Sequence, residues 1–139
     1  VFEMAIELLA EKFVGKHIDT VVAVEARGFI LGGALAYKLG AGFVPVRKKG
    51  KLPSQTYSIT YGLEYGKDAL SIHKDAINKG ARVLIVDDLL ATGGTVKATA
   101  RLVEKLKGKI IGIIFLIELT DLKGKDKLKG YPIYSLIKY

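Results

Sequence analysis

The chain contains no cysteine, which rules out disulfides and thiolate metal sites and leaves its redox compartment unmarked. It has no uninterrupted apolar run of the ~18 residues that suggest a membrane helix. The longest such run, Ile110 to Ile117, is only strand length. No signal-peptide pattern opens the sequence, so a cytoplasmic protein that does not engage membranes is expected. Histidine is confined to His17 and His73, and neither has the neighbours of a catalytic triad or a metal site. No protein metal centre is expected. Acidic residues are fewer than basic ones, 14 against 22, for a net charge of +8. Such a balance fits either a nucleic acid or a phosphate-bearing small substrate. Zinc-finger spacing and RNP-like aromatic motifs are missing, and the basic residues fall in two loop-like clusters. Nucleic acid is therefore not the expected partner. With no internal repeat and no low-complexity tract, 139 residues read as a single domain.

What is present is concentrated between Val83 and Thr95. Four branched apolar residues, Val83 to Val86, fit a buried strand, and two carboxylates, Asp87 and Asp88, follow where that strand should end. Ala91-Thr92-Gly93-Gly94-Thr95 is a small-residue turn, after which Val96, Thr99, Val103 and Leu106 fall at helical spacing. Glycines let backbone amides approach an anion closely, and the new helix offers it free N–H groups and a positive dipole end. The two ionised carboxylates can only accept hydrogen bonds, which suits ribose hydroxyls or a hydrated Mg2+. An ATP-type P-loop is excluded, because no Gly-Lys-Ser/Thr follows the glycines.

Around this stretch the elements alternate. Val1 to Phe13 is an amphipathic helix without a cap or an initiator methionine, so the sequence is expected to be cut in at its front end. Strands are expected at Thr20–Val24, Phe43–Val46, Val83–Val86, Ile110–Leu119 and Tyr131–Ile137. Pro45 argues against a central place for the second of them. Helices are expected over Phe29–Leu39 and Thr95–Lys107, one helical turn at Asp75–Lys79, and a short charged helix at Asp121–Lys129. Residues 52–72 read as a mobile hairpin or lid. The order predicts an α/β fold, a mainly parallel sheet flanked by helices, in which ligands sit beyond the carboxyl ends of the strands. Three chemically loaded stretches occupy such ends: Glu25 to Gly28, Asp87 to Thr95, and Glu118 to Thr120. Of these, Arg27 suits a phosphate leaving group, because its guanidinium is always charged and grips through two donors.

The run from Val83 to Thr95 resembles the phosphoribosyl-pyrophosphate (PRPP) signature of the type I phosphoribosyltransferases, and in particular that of their adenine-specific members. The resemblance extends over almost the whole chain and implies a type I fold with a flexible catalytic loop. It implies transfer of the phosphoribosyl group from PRPP to adenine, giving AMP and pyrophosphate, in a homodimer with Mg2+ held mainly through substrate oxygens and water. By the same resemblance Asp87, Asp88, Ala91, Thr92, Gly93, Gly94 and Thr95 would hold the ribose and 5′-phosphate. Ala26, Arg27, Gly28, Lys48 and Lys51 would hold pyrophosphate, Lys51 also being a candidate to reach a partner's site. The Glu25 to Phe29 segment matches a loop that often contains a non-proline cis peptide in this superfamily. Glu64 and Tyr65 match the catalytic loop tip, as acid/base and closing residue, and with Arg27 they are the catalytic candidates. Leu119 matches the residue that packs on adenine. The family also carries a hood segment that reads the purine, which is expected to be absent here. Two other readings stay open: the same fold acting on xanthine, hypoxanthine or orotate, and a non-catalytic sensor of PRPP or AMP.

Overall fold

A computed structural model describes residues 1–63 and 66–139. The chain begins with helix α1 (Phe2–Glu11), strand β1 (Thr20–Val24), helix α2 (Arg27–Leu39) and strand β2 (Gly42–Lys48). A hairpin of β3 (Thr56–Leu63) and β4 (Gly66–His73) follows, then β5 (Arg82–Leu90), α3 (Gly94–Lys105) and β6 (Lys109–Glu118). Two 3-10 stretches, Thr120–Leu122 and Gly124–Leu128, lead to β7 (Ile133–Lys138). Among the described residues seven strands form one sheet in the order β3-β4-β2-β1-β5-β6-β7. The pairs from β2 through β7 are parallel, and only the β3–β4 hairpin joins antiparallel.

Strand periodicity sorts the side chains into two cores. Val83 and Ile85 of β5 face the cluster built on Val96, Leu102 and Val103 of α3. Leu84 and Val86, one residue out of phase, face Ile6 and Leu9 of α1 and Leu31 and Leu35 of α2. Helices therefore cover both faces, which is why the central strands are apolar throughout. Helix α2 comes very close to the sheet: a Cβ on Gly32 would meet the Ala23 Cβ at 2.6 Å.

Pro45 is accommodated within a strand that has neighbours on both sides. Val46 accepts a hydrogen bond from the Glu25 amide at 3.0 Å, so Val46 faces β1 and Pro45 faces the other way. On that side β4 pairs only with Arg47 and Lys48, leaving no ladder for the missing N–H to break.

Several expected boundaries are corrected. Strand β5 does not stop at Val86, because β6 continues to pair with it at Asp87, Leu89 and Leu90. Arg27 and Gly28 lie in the first turn of α2 rather than in a loop before it. Residues 75–79 form turns and no helix. The charged 121–129 segment is two 3-10 pieces, broken at Lys123, whose φ of 51° cannot continue a helix.

Candidate active site

Parallel pairing of β1, β5 and β6 sends their carboxyl ends to one edge of the sheet. Arg27, just beyond β1, thereby meets Asp88 on β5, 61 positions away in sequence, with Nε donating to Oδ2 at 2.6 Å. The Arg27 side chain stays 79 % exposed, so the pair adds little stability. Arg27, Asp87, Asp88 and the 89–96 segment line a cavity of about 180 Å³. Ala91, Thr92, Gly93, Gly94 and Thr95 form its turn, with Gly93 at a φ of 87° immediately before α3. The amides of the first helical turn have no intrahelical acceptors and are available to an anion.

The two carboxylates differ. Burial pushes the Asp87 carboxyl up to about 7. The Asp88 amide, donating to Asp87 Oδ1 at 2.9 Å, works against that rise, as does Arg27, while the Asp88 carboxylate adds to it. Gly28 is part of the same packing, since a Cβ there would lie 3.0 Å from Asp87 Oδ1.

Ala26 follows a cis peptide bond to Glu25, a non-proline cis bond where the resemblance implied one. Glu25 gathers the basic loop: its carboxylate accepts the Lys48 amide at 2.6 Å and the Lys51 ammonium at 3.4 Å, with Arg47 Nε at 3.5 Å. Burial alone would raise the Glu25 carboxyl, but these donors outweigh it and hold it below its ordinary value. Lys48 Nζ also lies 3.6 Å from Asp68 on the hairpin. Leu119 is half-buried beside the cavity, its amide donating to the Leu90 carbonyl at 2.9 Å. Glu64 and Tyr65 lie outside the described residues. The histidines have local partners, His17 Nε2 with Asp19 at 2.5 Å and His73 Nε2 with the Pro53 carbonyl at 2.9 Å.

Geometry adds residues to which sequence reasoning gave no role. Gly124 packs under the turn so closely that a Cβ on it would collide with the Ala91 carbonyl, and one on Gly93 would meet the Gly124 carbonyl at 2.6 Å. The adjacent Lys125 is held by the buried Glu118 carboxylate at 3.4 Å, which also accepts from Ser135 Oγ at 2.8 Å. A glycine interrupting a charged, helix-like segment was the available signal for Gly124. Tyr61 of β3 accepts a hydrogen bond from Thr95 Oγ1 at 3.4 Å and so joins the hairpin to the turn.

A phosphate-sized recess, an acidic pair and an arginine share one sheet edge, and the family model of the phosphoribosyl transferase domain matches residues 1–137. The chain belongs to the phosphoribosyl transferase domain family. This phosphoribosyl transferase domain is 61% identical over 139 residues to the adenine phosphoribosyltransferase of Clostridium botulinum, covering all of this chain and 81% of that protein. The crystal structure of adenine phosphoribosyltransferase from Thermoanaerobacter pseudethanolicus superposes with a TM-score of 0.96 at 60% identity, over 99% of this chain and 80% of that one. The Saccharomyces cerevisiae enzyme, crystallised with an imino-altritol bisphosphate and adenine, gives 0.91 at 45% identity, over 97% and 78% of the two chains.

Proposed function

We propose that this phosphoribosyl transferase domain moves the 5-phosphoribosyl group from PRPP to adenine, giving AMP and pyrophosphate. The observation that carries this reading is the 61% identity to an adenine phosphoribosyltransferase across the entire chain. The geometry supplies the chemistry. In the reaction the bond from C1′ to the pyrophosphate oxygen breaks, a bond from C1′ to an adenine ring nitrogen forms, and that nitrogen loses its proton. Positive charge develops on the sugar and negative charge on the departing pyrophosphate, so preorganised donors and acceptors lower the barrier.

In this reading Ala91, Thr92, Gly93, Gly94 and Thr95 hold the 5′-phosphate with backbone amides and two hydroxyls. Asp87 and Asp88 accept the ribose hydroxyls. Arg27 stabilises the leaving pyrophosphate with Ala26 and Gly28, and Lys48 and Lys51 complete the cationic side. Leu119 packs against adenine, and Glu64 and Tyr65 act as acid/base and closing residue. Mg2+ fits a site of this kind, because two neighbouring carboxylates offer hard oxygen donors but too few for octahedral coordination, leaving substrate and water to supply the rest. When bound, the ion neutralises charge on the pyrophosphate. Exposed Ile30, Tyr37 and Phe43, on α2 and β2, support a homodimer, with Lys51 a candidate for the partner's site.

The test is AMP formation from adenine, PRPP and Mg2+, with hypoxanthine, xanthine and orotate in parallel. Adenine is expected to be the preferred acceptor. Preference for xanthine would move the assignment to another base, and PRPP binding without turnover on any base would make the chain a sensor.

A further inference from the structure

A second recess lies beside the first, on the other side of Gly94. It has a volume of about 320 Å³ and is walled by β3 (Ile59 to Gly62), by the outer edge of α3 (Gly94, Lys97, Ala98, Arg101) and by Lys127. Lys97 and Arg101 are one helical turn apart and so share a face, and Lys127 joins them from the 3-10 stretch. Among the described residues none of the three forms an ion pair, and no carboxylate lines the recess. The nearest acid along the helix, Glu104, three residues from Arg101, accepts the Tyr131 hydroxyl at 2.6 Å, and the Arg101 charge reaches that same hydroxyl. Lys105, one turn further, lies 4.4 Å from the centre of the Tyr57 ring and continues the basic edge.

Among the described residues three cations border one recess that no carboxylate lines, and an occupant with several anionic oxygens lowers their mutual repulsion. A single phosphate cannot reach groups from two elements as well as a chain of phosphates can. Tyr61, whose ring passes 3.9 Å from where a Gly94 Cβ would sit, adds a hydroxyl that can donate to an anionic occupant and not to a cationic one. The recess is closed on one side by a hairpin, which favours a small ligand over a duplex. We propose that it is a second anion site, taking a small polyphosphate that bridges α3 to β3 and holds the hairpin on the helix. Through the Thr95–Tyr61 contact, occupancy would also bear on the turn of the first site. The site is independent of the transferase reading, because it shares only Gly94 with the first cavity.

Equilibrium binding of inorganic tripolyphosphate tests this on the full chain and on the Lys97→Gln/Arg101→Gln double variant, with ribose 5-phosphate binding measured alongside. A control pair of equal charge change, Lys79→Gln/Lys109→Gln, reports the general field. Tripolyphosphate affinity is expected to fall at least about tenfold, ~1.4 kcal/mol, in the double variant only, with ribose 5-phosphate binding unchanged. Equal loss in the control, or no loss in the double variant, would overturn the site. So would loss of duplex oligonucleotide binding with tripolyphosphate binding intact, which would make the edge a nucleic-acid surface. ATP in parallel separates the sources: tighter binding than tripolyphosphate assigns the site to a nucleotide, equal binding to the phosphate chain alone. Failure of ribose 5-phosphate to bind any of the proteins would count against the first cavity and leave this result standing.

Discussion

Burial lifts the Asp87 carboxyl to about 7, so near neutrality the free protein holds both its protonated and its ionised form. The unfolded chain releases this proton near ~3.9. Between those values the native state binds more protons, so stability falls as pH rises through that window, and the ionised carboxylate costs stability above it. Asp87→Asn is therefore expected to be more stable than wild type at about pH 8, with the gap closing below about pH 4, as read by urea denaturation. Binding runs the other way, because ribose hydroxyls and hydrated Mg2+ need the ionised acceptor. PRPP affinity is expected to rise with pH to about 7 and then level off, with that part of the slope missing in Asp87→Asn. An identical slope in the variant would assign it to the phosphates of the ligand. Gly124 carries a second prediction at this scale. Its backbone supports the turn without lining the cavity, so Gly124→Ala should raise the KM for PRPP about tenfold and leave that for adenine within about twofold. A parallel change in both would mean general unfolding. Asp87, Asp88 and the glycine turn were legible because adjacent residues carried their chemistry. Gly124 was not, because its importance lies in the Ala91 carbonyl, 33 positions earlier in the chain.

At the scale of elements, helix α2 is held against β1 by the space at Gly32. Ala23 belongs to a central strand and cannot yield, and Phe43 stands on the other side at 3.1 Å from the same point. Gly32→Ala is expected to destabilise the fold by about 1–3 kcal/mol through overpacking, measured by chemical denaturation. An unchanged midpoint would show that α2 can lift off the sheet. The small-residue content of this helix pointed to close packing, and the apolar strands and the α3 periodicity were equally legible. Boundaries were not, for a local reason in each case. Asp87 to Leu90 look like a strand exit, yet β6 supplies hydrogen-bond partners to the end of β5. Asp121 to Lys129 look helical by composition, yet the backbone at Lys123 turns left-handed. Pairing partners and single φ angles are not written in local composition.

Over the whole molecule, the net charge of +8 sets a field that draws anionic substrates. The association rate of PRPP should drop at least about threefold from low to high salt, as stopped-flow mixing would measure, while a neutral purine should show no such dependence. Equal salt dependence for both would point to an effect on the protein itself. The alternation of the main strands and helices, the two-faced burial of the central strands and the glycine turn between β5 and α3 were determined by the sequence alone. Each follows from side-chain period or from residue types within a few positions. Only the tertiary structure decided that Arg27 would close on Asp88, that Glu25 would gather Lys48 and Lys51, and that Gly124 would lie beneath Gly93. These contacts join segments far apart in the chain. They exist because parallel pairing brings the carboxyl ends of β1, β5 and β6 to a single edge, a result of register between strands that no local stretch encodes.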